Sequence, residues 1–126
     1  MEEEKKFSVL DRIKSFKYAF NGLRLFFAND HNGRVHLFAA IAAIALSFYL
    51  KLSNLEWIAI LSVIAAVMVA EIINSAIEKL ADVIYPDYHP KIKVVKDLAA
   101  AAVLIAAFLA IAVGAIVFIP KLLLRL

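Results

Sequence analysis

Glu71-Ile-Ile-Asn-Ser-Ala-Ile-Glu78, followed by Asp82, is the segment of this chain best equipped for chemistry. On an α-helix, at about 100° per residue, Glu71, Asn74, Ser75, Glu78 and Asp82 fall within roughly a third of the circumference. Ile72, Ile73, Ala76, Ile77, Leu80 and Ala81 cover the rest. The spacing therefore predicts an apolar helix that acquires one acidic stripe. Glu71 and Glu78 lie two turns apart, about 10 Å along the axis. A run of uncharged residues precedes Glu71, which puts its carboxylate inside a membrane span, where an acid is costly and points to function. The plainer reading is an interfacial acid, solvated or paired with a lysine, and it applies best to Glu78 and Asp82.

Two further clusters could join the stripe. His89-Pro-Lys-Ile-Lys-Val-Val-Lys-Asp97 leads into the last apolar run. Lys91 and Lys93 read as lysines that snorkel or meet anionic lipid. Lys96, beside Asp97, is the better candidate for binding phosphate oxygens as a point charge. Upstream lies Asn29-Asp-His-Asn-Gly-Arg-Val-His36. His31 and His36 share a helix face poorly, so a histidine zinc site is not expected. Asp30 and Glu78 are oxygen ligands of the kind that hold Mg²⁺ together with substrate phosphates. Carboxylates for a hard cation, a lysine for phosphates and a half-buried base together suit phosphoryl transfer. A base at the edge of the bilayer would meet a lipid hydroxyl.

The elements that must position these groups are membrane helices. Of the 126 residues, 64% are hydrophobic, and the mean hydropathy is +0.85. A core this small cannot bury so much apolar surface. We therefore expect an all-α membrane protein, a single domain over residues 1–126. An interfacial amphipathic helix would span about 7–30, and transmembrane helices about 35–52, 55–80 and 98–119. Phe7, Leu10, Ile13, Phe16, Phe20, Leu23 and Phe27 form the stripe of the first helix, with Arg12, Lys14, Lys17, Tyr18 and Arg24 off it. Ala102, Ala106, Ala110 and Gly114 repeat every four residues, a pattern that lets helices approach closely in lipid. One subunit has too few helices to enclose a polar site, so a homo-oligomeric bundle is expected.

Charge sets the orientation. Eleven of the 14 basic residues, from Lys5 and Lys6 to Arg34 and from Lys79 to Lys96, lie before the first span or between the second and third. The positive-inside rule puts both segments in the cytoplasm and the C-terminus outside. There is no cysteine, which excludes disulfides, thiolate zinc sites and cysteine nucleophiles. With three glycines, no Gly-rich phosphate loop is present, and no nucleic-acid partner is expected.

The stripe, with Tyr88-His89, Lys96-Asp97-Leu-Ala-Ala-Ala-Ala-Val-Leu-Ile105, and Tyr18 before Gly22-Leu-Arg24, resembles the bacterial diacylglycerol kinase and undecaprenol kinase family. The likeness runs over nearly the whole chain. It implies a homotrimer in the bacterial inner membrane that uses Mg²⁺ to transfer the γ-phosphate of ATP to a membrane lipid alcohol. By the same resemblance Glu71 is the catalytic base, and Glu78 and Asp30 are the metal ligands. Tyr18, Asn74, Glu78, Lys96 and Asp97 then meet the nucleotide. Asp30 stands where the family usually has glutamate, which keeps the charge and shortens the reach. Asn32-x-Arg34-x-His36 looks like the undecaprenol branch, which favours undecaprenol over diacylglycerol. A rival reading from another class is a small oligomeric ion channel or proton-coupled transporter with Glu71 as relay. The lack of an inverted repeat, and the gathering of polar residues at one membrane face, count against it.

Overall fold

The computed structural model of the chain describes Glu4 and residues 6–126. Lys5, counted above among the cytoplasmic basic residues, lies outside the described residues. Four helices follow one another: α1 (Val9–Asn29), α2 (His31–Tyr49), α3 (Asn54–Ile84) and α4 (Pro90–Leu123). The last three are long and apolar enough to cross a membrane. Each helix begins where the sequence supplies a cap. The Ser8 side chain accepts from the Asp11 N–H, and the Asp30 carboxylate accepts from the Gly33 N–H at 3.1 Å. Ser53 and Glu56 form a reciprocal capping box at the start of α3. The His89 Nδ1 accepts from the Lys91 N–H, with Pro90 preorganising the first turn of α4.

Asp30 is the elbow between α1 and α2. Its extended backbone ends α1, with its N–H donating to the Phe26 carbonyl, while its side chain starts α2. The elbow is tight because the Phe26 ring lies on Gly33. A Cβ at Gly33 would come within 2.5 Å of the Phe26 Cζ. Phe26 is the buried residue of α1. Of the expected stripe, Phe7, Leu10, Ile13, Phe16, Phe20 and Leu23 are exposed and Phe27 is half-buried, as suits a helix lying on a bilayer.

The helices outrun the apolar spans expected from the sequence. At about 1.5 Å per residue the 31 residues of α3 extend about 46 Å and the 34 of α4 about 51 Å, against a hydrocarbon core about 30 Å thick. Backbone hydrogen bonding does not stop at the membrane surface, and no proline or glycine lies in α3 or between Lys91 and Asp97 of α4. The surplus turns sit at the C-terminal end of α3 and the N-terminal end of α4, which carry Glu78, Asp82, Lys93 and Lys96.

Packing centres on α3, which lies against α4 along much of its length and against α2 over a shorter stretch. The densest core is at the α2–α3 turn. There Leu50, Leu52, Ile60 and Val117 are buried, flanked by Trp57 and Phe118. From that core, between α2, α3 and α4, an apolar cleft of about 360 Å³ runs from Ile60 and Phe118 up to Met68 and His36. Ala39, Ala43, Val67, Ala110 and Gly114 line it, and His36 stands in its wall. Two members of the small-residue stripe on α4 thus face this cleft.

Candidate active site in the C-terminal half of α3

Glu71 is 3% exposed, the most deeply buried ionisable side chain among the described residues. It sits on the α3 face that turns toward α2. There the His36 Nε2 lies 2.9 Å from the Glu71 Oε1. Besides His36, Asp30 and Glu78 are the ionisable groups near enough to act on the Glu71 carboxylate electrostatically. The α1–α2 elbow therefore delivers two side chains, Asp30 and His36, to the acidic stripe of α3.

The stripe itself is internally linked at the spacing of one helical turn. Ser75, 6% exposed, accepts from the Lys79 Nζ at 3.1 Å. The Asn74 Nδ2 makes a long contact of 3.5 Å with the Glu78 Oε1, and the buried Asn74 Oδ1 has no partner. Leaving a buried acceptor unpaired typically costs about 1–3 kcal/mol, so an exogenous donor or cation would be welcome there. α4 closes one side. The Lys96 Nζ donates to the Asp82 Oδ1 at 2.6 Å and brings the expected phosphate-binding lysine onto the stripe.

Asp97 instead pairs with Lys93 along α4 at 2.5 Å and stays exposed. Tyr18, 69% exposed on α1, stands outside the constellation. The donor set fits a hard cation in type: Asp30, Glu78 and the free Asn74 Oδ1 are all oxygen ligands, and magnesium takes few protein carboxylates beside phosphate and water. Among the described residues no group of three or more His, Cys, Asp or Glu side chains converges on one point. Any ion held here would take the rest of its shell from water or a bound ligand.

Sequence reasoning weighed His36 as a zinc ligand and as part of the Asn32-x-Arg34-x-His36 pattern, and missed its partnership with Glu71. A signal was available. An acid inside a span needs a partner at the same depth, and His36 is the titratable residue of α2 that lies inside the apolar run.

Comparisons with known proteins bear on what such a site does. The family model described as prokaryotic diacylglycerol kinase matches residues 17–118. The undecaprenol kinase of Bacillus subtilis (strain 168) is 36% identical over 110 residues, covering 87% of this chain and 89% of that protein. The diacylglycerol kinase of Escherichia coli (strain K12) is 34% identical over 99 residues, 79% of this chain and 81% of the relative. The diacylglycerol kinase of Synechocystis sp. is 38% identical over 113 residues, 88% of this chain and 64% of the longer relative.

Proposed function

The chain belongs to the prokaryotic diacylglycerol kinase family, whose members are lipid kinases, and from that premise we propose that it phosphorylates undecaprenol in preference to diacylglycerol, with ATP as donor and Mg²⁺ as the metal. In this reading the lipid hydroxyl oxygen attacks the γ-phosphorus of ATP, and the bond to the β–γ bridging oxygen breaks. The hydroxyl proton passes to the Glu71 carboxylate, and ADP leaves. Asp30 and Glu78 hold the metal, and Asn74 offers its free Oδ1 beside Glu78. Bound Mg²⁺ supplies neutralisation of the phosphate charge. Lys96 exchanges Asp82 for phosphate oxygens, Asp97 contacts the nucleotide, and Tyr18 stacks near the adenine.

The burial of Glu71 against His36, at the rim of an apolar cleft, carries this reading. A carboxylate at that depth meets a hydroxyl anchored in the bilayer more readily than one in water. The preference for undecaprenol rests on Asn32-x-Arg34-x-His36, and the undecaprenol kinase of Bacillus subtilis is among the similar proteins. Between the acidic stripe at one end and the Glu56–Lys121 pair at the other the cleft is lined by apolar residues, which gives a transmembrane ion path no support.

We further read the protein as a homotrimer in the bacterial inner membrane with the acidic-stripe end cytoplasmic. Purified protein in liposomes, given Mg-ATP and equal amounts of undecaprenol and diacylglycerol, tests the substrate. Faster appearance of undecaprenyl phosphate is expected, and faster phosphatidate formation would reverse the order. Single cysteines at Ser8, Tyr88 and Leu126 in right-side-out vesicles test orientation, since an impermeant label should reach only position 126.

A further inference from the structure

The far end of the bundle contains a second carboxylate, Glu56, and the contrast between its partner and that of Glu71 is informative. Glu56 faces Lys121 at 3.1 Å. Glu71 faces an imidazole at 2.9 Å. A lysine holds a carboxylate in a permanent ion pair and lowers its appetite for a proton. An imidazole Nε2–H can donate a single hydrogen bond, which fixes the carboxylate in one orientation. The remaining charged groups acting on Glu71, Asp30 from the α2 elbow and Glu78 from α3, are acids, so neither can orient it by donation.

From this geometry we propose that His36 is a positioning residue for the phosphotransfer reaction. Its Nε2–H clamps the Glu71 Oε1 so that Oε2 is presented to the lipid hydroxyl. The inference rests on the reading of Glu71 as the base. His36 itself touches neither nucleotide nor metal in this role. Its place six residues beyond the Asp30 cap fixes its depth along α2, and the Phe26–Gly33 contact fixes the elbow from which α2 starts. One segment therefore sets both a metal-ligand candidate and the orientation of the base. Loss of the clamp frees the carboxylate to rotate, and misplacement of a reacting group by about 1 Å can cost about 100-fold in rate.

The test measures lipid phosphorylation by the full-length protein in liposomes, with nucleotide binding followed separately, for His36→Leu, His36→Gln, His36→Asn, Glu71→Gln and the double variant His36→Leu/Glu71→Gln. His36→Leu should lower kcat by about 10- to 100-fold and leave KM for ATP unchanged. His36→Gln, whose amide can reach Oε1 as a donor, should recover most of the loss, and the shorter His36→Asn should not. Glu71→Gln removes the group that His36 serves, so adding His36→Leu to it should lower the rate no further. If His36→Leu does not fold, the Gln-against-Asn difference decides alone. Normal turnover in His36→Leu with an inactive Glu71→Gln would overturn the His36 role and spare the base. Multiplying losses in the double variant, or a change confined to KM for ATP, would also overturn it. Near-normal turnover in Glu71→Gln would remove the base reading itself, and the clamp with it.

Discussion

The two ends of the helical bundle solve the same problem in opposite ways. At the α2–α3 turn, polar groups are answered from within the chain. Glu56 closes the Ser53 capping box and meets Lys121, and Arg125 donates to the Tyr49 carbonyl while its guanidinium lies over the Tyr49 ring. Beneath them Leu50, Leu52, Ile60 and Val117 pack as a core. At the α3–α4 end Glu78 has no ion-pair partner among the described residues, Asn74 keeps a buried acceptor free, and His36 stands where the apolar cleft meets Glu71. One end is built for stability. The other holds unsatisfied groups that a substrate and a cation can satisfy, which is where a fold is expected to break its own rules.

The largest effect should come from the deepest residue. Glu71→Gln keeps shape and hydrogen bonding and loses the proton acceptor, so kcat should fall by about 10²- to 10⁴-fold while Mg-ATP still binds. Turnover measured at saturating substrates checks this, and a near-normal rate would remove the distinction between the ends. Next come the flanking acids. Glu78→Gln and Asp30→Asn should each raise the Mg²⁺ concentration for half-maximal activity, by at least the roughly 10-fold that follows loss of even an outer metal contact. An unchanged Mg²⁺ titration for either variant would take that residue out of the metal site.

The elbow links geometry to stability. Gly33→Ala would put a methyl into the Phe26 ring, and overpacking of this kind costs about 1–3 kcal/mol. Thermal unfolding in detergent should register the loss, and Phe26→Leu should relieve part of it. Activity should fall with it, because Asp30 and His36 both hang from that elbow. The smallest effect belongs to the closed end. Lys121→Met breaks the pair with Glu56 and should lower the unfolding temperature slightly with phosphotransfer intact. A fall in kcat to match that of Glu71→Gln would mean that the two ends are not functionally distinct.

Much of this was legible in the residue pattern, for identifiable reasons. A bilayer leaves few options to a backbone, so apolar runs of sufficient length must be helices. Periodicity on one helix is a local property, which is why Glu71, Asn74, Ser75, Glu78 and Asp82 could be aligned on α3 before any coordinate was known. Helix ends were less accurate. Lysines and acids at 84–98 mark where lipid stops but do not stop a helix, and α3 and α4 run on to Ile84 and back to Pro90.

What the sequence could not supply is the register between helices. Whether His36 meets Glu71 depends on the bend at Asp30, on the seat of Phe26 against Gly33, and on how far α2 is shifted along α3. The same holds for Lys96, which reaches Asp82 because the turn at 85–89 fixes where α4 begins. These are contacts between segments distant in the chain, set by packing of whole helix faces, and no local spacing rule encodes them. The sequence by itself determined the helices, the acidic stripe and the family resemblance. Only the tertiary structure decided that the buried Glu71 carboxylate has an imidazole for a partner, because that pairing is a relation between two helices and belongs to neither one alone.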